Sequence, residues 1–198
     1  LATCHKVNGV SGLHTDILRN DVFRDYNNLS PDKFVAITNG ITYRRWLRLA
    51  NGELSDLITS KIGKKWVKDV SQLEKLLPYA DDKEFRAQFK EVKLNKKKEL
   101  AEYIKEHNKV EVDPTSIFDV QVKRLHEYKR QLLNVLHILY LYDKIKTDKS
   151  FDFYPHTFIF GAKASPGYAR AKLIIKLIND VAKLVNNDND VNSKLKVV

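Results

Sequence analysis

Methionine is absent from the 198 residues, and cysteine occurs once, at Cys4. One thiol excludes an internal disulfide and points to a reducing compartment. A single unpaired Cys is more often an inert thiol than a nucleophile. No signal peptide or membrane span is present, because every apolar run is broken by Lys or Asp within a few residues. A GxGxxG fingerprint is also missing, which disfavours a standard NAD site. The sequence opens at Leu1 and closes inside LKVV, a strand-like run, so we expect a piece of a longer protein.

Charge of one sign is plentiful. The formal net charge is +10, from 35 Lys and Arg against 25 Asp and Glu. That excess invites a nucleic-acid reading. The cations are mixed with acids rather than gathered in a stripe, and runs such as Lys96-Lys97-Lys98 read as a solvated face. No nucleic-acid motif is present, so we expect no nucleic-acid partner and no membrane. Apolar content of 43% with 30% charged residues is an ordinary soluble balance.

Residues 1–38 contain Asn8-Gly9 and Gly12, read as turn chemistry, a short helix over Thr15–Val22, and a strand-like Phe34–Ile37 after the break at Pro31. Arg44 and Arg45 flank Trp46, which reads either as a buried ring under a cation or as a wall of an anion site. Residues 51–108 are helical in pattern. One helix ends at Gly63, another is stopped by Pro78, and a long one is capped by Asp81 or Asp82 and docked along Phe85, Phe89, Val92, Leu100, Tyr103 and Ile104.

Residues 110–198 alternate. After a brief strand at Val110–Val112 come a strand over Ile117–Lys123 and a helix from about His126 to Lys146, apolar nearly all round and so packed on more than one side. A strand over Thr157–Phe160 follows, then a helix from about Gly167 to Asn186 with Ser165 as N-cap and Pro166 at its start, then a strand from Leu195. This order, with about 40 residues per repeat, is the opening half of a parallel doubly wound α/β domain. Such sheets bind ligands beyond the carboxyl ends of their strands. Lys123 and Arg124 stand at one such end and Gly161-Ala-Lys163 at the next. Lys123, Arg124, Lys129 and Arg130 crowd the strand–helix joint. Cations in a first helical turn oppose the macrodipole, and free amides there favour an anion, so this joint reads as a phosphate site.

Four stretches, VNGVSGLHTDIL, TNGITYRRW, FDVQVKRLHEYKRQLLN and FGAKASPGYARAK, closely resemble signature stretches of the glycogen (α-glucan) phosphorylases, in the same order and across essentially the whole chain. The resemblance implies a two-lobed, Rossmann-like glycosyltransferase-B architecture, with residues 1–38 ending the N-terminal lobe, 39–109 a helical start of the C-terminal lobe, and 110–198 the first half of its Rossmann-like domain. It implies phosphorolysis of α-1,4-glucans from the non-reducing end, releasing glucose 1-phosphate, with pyridoxal phosphate as cofactor. By resemblance, Arg124 holds the substrate phosphate, Lys123 and Lys129 serve the substrate and cofactor phosphates, Asn39 binds the glucosyl 6-hydroxyl, Trp46 stands near the cofactor, and Tyr168 marks an inhibitor site at the cleft entrance. The partners implied are an α-glucan and inorganic phosphate. A homodimer, allosteric control and a cytoplasmic location (or a plastid, in a plant-like source) are implied with them.

The sequence departs from the family pattern at Tyr43, where Pro is usual, and at Ser165, where Ala is usual. By resemblance the lysine that carries pyridoxal phosphate lies some tens of residues past Val198, so this chain alone is expected to be inactive. His137 reads as a core histidine and Glu127 as an ion-pair partner of Arg130. A sugar-nucleotide glycosyltransferase of the same two-lobed plan is the alternative, since a diphosphate also needs cations at strand tips.

Overall fold

The structure, a computed structural model, describes every residue from Leu1 to Val198. The chain divides into two compact units, Leu1–Pro78 and Tyr79–Val198.

The first unit opens on a parallel strand pair. Strand β1 (Val7–Gly9) leads into helix α1 (Gly12–Ile17), a π-helical turn at Leu18–Val22, helix α2 (Arg24–Leu29) and strand β2 (Phe34–Ala36). Val7 pairs with Phe34 and Gly9 with Ala36. Asn8-Gly9 is therefore strand, not turn. Gly9 is required by close approach: a Cβ there would fall 2.1 Å from Thr15 Oγ1 and 2.8 Å from the Thr15 backbone. Thr15 is buried, and its hydroxyl donates to the Ser11 carbonyl at 2.7 Å. Ser11 in turn caps α1, accepting from the His14 amide at 3.1 Å. Phe34 fills the space beneath, stacked on Phe23 with ring centroids 6.3 Å apart.

An irregular stretch containing Asn39 leads to a π-helical segment, Arg44–Leu49. Tyr43 enters it with φ −60°, a value proline also takes, and its hydroxyl donates to the Val67 carbonyl at 2.9 Å. Helix α3 (Gly52–Ile62) is capped by Asn51 and stops at Gly63, whose φ of 76° needs glycine. Trp66 is fully buried, its indole N–H donating to Thr59 Oγ1 at 3.1 Å. Trp46, by contrast, is 66% exposed, and the Arg44 guanidinium lies over Tyr43 instead. The buried-ring alternative for Trp46 is thus corrected. The helix expected to stop at Pro78 is a 3₁₀ run, Val70–Asp81, with Pro78 inside it. Its i→i+3 bonding leaves the proline nitrogen without an α-helical partner to lose.

In the second unit Asp82 caps the 26-residue helix α4 (Lys83–Asn108), accepting from the Phe85 amide at 2.8 Å. Residues 110–112 form no strand; Glu111 instead pairs with Lys105 at 2.8 Å. The alternating part follows: strand β3 (Ile117–Val122), helix α5 (Gln131–Thr147), strand β4 (His156–Gly161), helix α6 (Ala169–Asn187) and strand β5 (Leu195–Val197). The three strands are parallel and lie in sequence order. Two crossovers in the same direction put α5 and α6 in one shared core with the sheet, as expected when both connections keep the same hand. Their stripes of Val135, Ile138, Leu141, Ile145, Ala171, Ile174, Ile178, Val181 and Val185 meet Phe158, Leu195 and Val197 in a single core. The opposite face of α5 is open in this chain, with Leu133 and Leu136 more than half exposed, so it packs on one side only. His137 lies on that open side, edge-on to Phe158 at 6.3 Å, and is not a core residue.

Two expected outcomes follow from this packing. Gly9→Ala forces a methyl into the Thr15 backbone, at the top of the overpacking range of about 1–3 kcal/mol. Thr15→Ala does not restore stability in urea unfolding, because Thr15 N and Cα still clash. The second concerns Asp188, which ties the ends of α5 and α6 through Tyr142 (2.6 Å) and Lys146 (2.7 Å). Those hydrogen bonds, Lys146 first and then Tyr142, hold its carboxyl down at about 2. A depressed carboxyl stabilises the fold above its unfolded value near 3.8, and that stabilisation is lost as pH falls towards 2. Asp188→Asn therefore lowers stability at neutral pH and flattens the acid limb of a circular-dichroism titration between those values.

Candidate functional site

The loop after β3 is built by an extension of the sheet. Parallel pairing continues past the strand ends: the Lys123 amide donates to the Gly161 carbonyl at 2.9 Å, and the Leu125 amide to the Lys163 carbonyl at 3.1 Å. Leu125 is 1% exposed and belongs to the core shared by α5 and α6. It pegs the backbone, so that Lys123 and Arg124 before it point outward, exposed, at the carboxyl end of the sheet. The chain then makes a 3₁₀ turn, Glu127–Lys129, and passes through Arg130 at φ 62° before α5 begins at Gln131.

This corrects the expected start of that helix at His126. The basic residues are not in its first turn; they precede it, and Arg130 occupies the N-cap position without a capping side-chain bond. The reason is steric. A non-glycine residue in the left-handed region ends one helical turn and cannot continue it, so the 3₁₀ turn and α5 are separate elements. The next strand tip behaves likewise. The turn at residues 165–168 closes first, with the Tyr168 amide donating to the Ser165 carbonyl at 3.0 Å, and α6 starts at Ala169 rather than Gly167. Ser165 does not cap it.

Residues 123–130 hold four cations, Lys123, Arg124, Lys129 and Arg130, against one carboxylate, Glu127. Glu127 does not neutralise them. Its carboxylate takes the Arg170 guanidinium at 2.7 Å and the Tyr168 hydroxyl at 2.8 Å. The Arg170 bond, then the Tyr168 bond, holds the Glu127 carboxyl below its ordinary range, and the same contact raises the Tyr168 phenol. The ion-pair role read for Glu127 is therefore right in kind, but its partner is Arg170, 43 residues on, and not Arg130. No ion pair or side-chain hydrogen bond engages Lys123, Arg124 or Lys129. Lys129 has only the Tyr128 ring, 5.6 Å from its ammonium. His126 lies between Tyr128 and Tyr168, at 5.6 and 5.8 Å between ring centroids.

Of the residues singled out from sequence, Lys123, Arg124, Lys129 and Tyr168 thus converge on one end of the sheet in the second unit. Asn39 and Trp46 belong to the first unit, both exposed. The sequence reading missed three amides behind the loop. Gln131, 2% exposed, donates to the Arg124 carbonyl; half-buried Gln121 donates to the Lys129 carbonyl, each at 3.2 Å. Asn134 donates to Gln121 Oε1 at 3.1 Å. The signal available was a pair of glutamines flanking the basic run where a core apolar residue would otherwise serve.

Chemically, uncompensated cations at the carboxyl end of a parallel sheet make a receptor for a multiply charged anion. Arg124 offers a planar fork and the lysines mobile point charges. The model of the carbohydrate phosphorylase family matches residues 1–198. The chain is 52% identical over 194 residues to the liver form of glycogen phosphorylase from Bos taurus, covering 98% of this chain and 23% of that protein. It is equally similar to the human liver form, at 52%. It is 56% identical over 194 residues to glycogen phosphorylase of Bacillus subtilis, covering 98% of this chain and 24% of that protein. The chain spans about a quarter of the length of these curated relatives. A match along its whole length, with the basic strand-tip loop inside it, means that the chain belongs to the carbohydrate phosphorylase family.

Proposed function

We propose that the protein containing this chain degrades an α-1,4-glucan by phosphorolysis, releasing glucose 1-phosphate from non-reducing ends. The observation that carries this reading is the trio Lys123, Arg124 and Lys129, left without counter-anions while the one nearby carboxylate is bound elsewhere. Like charges gathered on eight residues repel one another, and an anion held among them offsets that repulsion. Arg124 holds the substrate phosphate through two parallel N–H donors, and Lys123 and Lys129 share the remaining charge. By the family resemblance, Asn39 is assigned to the glucosyl 6-hydroxyl and Trp46 to the neighbourhood of the cofactor.

Pyridoxal phosphate fits this donor set. Lys123, Arg124 and Lys129 together carry more charge than a single substrate phosphate needs, and two lysines with an arginine suit a pair of phosphate groups held close together. When bound, the cofactor supplies a phosphate that exchanges a proton with the substrate phosphate. Lys123, Arg124 and Lys129 would hold the two anions, and Arg170 and Tyr168 keep Glu127 from competing for the cations. The expected lobe boundaries near residues 38 and 109, the homodimer, the allosteric control, the cleft-entrance inhibitor site at Tyr168 and the cytoplasmic location belong to the same proposal.

In the full-length protein Arg124→Lys replaces a fork with a point charge. It lowers kcat/KM for inorganic phosphate by about a hundredfold, the scale of losing one preorganised donor at a charged centre. The KM for glucan stays near the wild-type value. An unchanged phosphate dependence refutes the assignment. The isolated 198-residue chain, supplied with pyridoxal phosphate, glucan and phosphate, is expected to release no glucose 1-phosphate, because the cofactor lysine is assigned outside it. Clear turnover in a coupled glucose 1-phosphate assay overturns that expectation.

A further inference from the structure

The side chains of Arg124 and Lys129 are free, but their main-chain carbonyls are not. Each is gripped by a glutamine amide from a regular element. Gln131, the first residue of α5, reaches back to the Arg124 carbonyl, and Gln121, on β3, reaches across to the Lys129 carbonyl. Asn134, one turn into α5, holds the other end of the Gln121 amide. The loop thus hangs from a strand and a helix at the two residues assigned to phosphate. Gln131 carries a cost that core packing alone does not explain. It is 2% exposed, and its Oε1 is buried without a hydrogen-bond partner. An apolar side chain of the same length would fill that space without the unpaired oxygen.

We propose that Gln131 and Gln121 are positioning residues for the phosphate-binding cations, fixing the backbone at Arg124 and Lys129 so that both side chains start from set points. The proposal rests on the phosphorolysis reading above. A long Lys or Arg side chain has many rotamers, and its reach is defined only as well as its own backbone. Anchoring the carbonyl removes the backbone contribution to that spread before the anion arrives, which is preorganisation of the kind a charged centre requires.

The test uses the full-length enzyme and three variants. Gln131→Met keeps length and bulk but removes both the donor to Arg124 and the unpartnered oxygen. A positioning role raises KM for inorganic phosphate about tenfold, the scale of one lost hydrogen bond. It leaves KM for glucan unchanged and the melting temperature unchanged or higher. A lower melting temperature with a wild-type KM for phosphate overturns the proposal, since that is the mark of a packing residue. Should Gln131→Met not fold, Gln121→Met is read on the same two constants, and a wild-type KM for phosphate there overturns the proposal as well. Arg124→Lys separates the two levels. If it leaves phosphate dependence untouched, the phosphorolysis reading itself fails. If it weakens phosphate use while both glutamine variants behave as wild type, the reading stands and the positioning role falls.

Discussion

The site depends on one constraint: the backbone of β3 cannot leave the sheet where its strand ends. Two further hydrogen bonds to the β4 side, at Lys123 and Leu125, carry the pairing onward, and Leu125 is buried among the core residues of α5 and α6. Burying a leucine side chain is worth about 1.5–3 kcal/mol, more than the repulsion among exposed, water-screened cations can recover by letting the loop drift. The hydrophobic core therefore fixes where the charges stand. Parallel strands place these tips on one edge, which is why two basic loops 40 residues apart in sequence meet.

The same constraint explains the handling of Glu127. A carboxylate in the middle of a basic loop would ordinarily collapse onto the nearest cation. Here Arg170 and Tyr168, brought alongside by the start of α6, take both of its oxygens. Lys123, Arg124 and Lys129 are left available, and the loop is tied at its far side to the second strand tip. One exposed ion pair contributes little to stability. Its consequence is electrostatic: it sets which charges are spent inside the protein and which remain for a ligand.

Much of this was legible in the sequence where the signal was local. From Phe118 on, Ile117–Val122 alternates apolar with polar residues, and Phe158–Phe160 is an apolar run, so the sequence places β3 and β4 to within about a residue. The apolar residues of α6 recur at helical spacing, yet Leu173 and Leu184 are exposed while Ala171 and Val185 are buried, and of the two cap candidates Asp81 and Asp82 it is Asp82 that caps α4. The failures share a cause in contacts that sequence spacing does not encode. Asn8-Gly9 carries turn chemistry, yet Gly9 is there because Thr15 leaves no room for a side chain. Arg130 gives no glycine-like sign of its left-handed backbone, so a 3₁₀ turn and a helix were merged into one. Arg130 was named as the partner of Glu127 because it is near in sequence, whereas Arg170 is near only in the fold. Periodicity says nothing of what Lys123, Arg124 and Lys129 do; the roles proposed for them come from the whole-length family resemblance.

Three locally unfavourable features fall within residues 123–131: cations without counter-ions, a left-handed arginine, and a buried glutamine oxygen without a partner. The left-handed residue alone costs about 1–2 kcal/mol and the orphaned acceptor about 1–3 kcal/mol. Elsewhere in this unit Asp82 caps α4 and one continuous core joins α5 and α6 to the sheet, while α6 starts without a capping side chain and Lys109 is a second left-handed residue. A fold that is consistent nearly everywhere and strained most densely in one short loop concentrates its exceptions where a ligand's binding energy can offset them. In the proposed phosphate role, that loop needs its cations to start from set points, and the Gln121 and Gln131 contacts to the Lys129 and Arg124 carbonyls are the structural means by which the backbone would be held there.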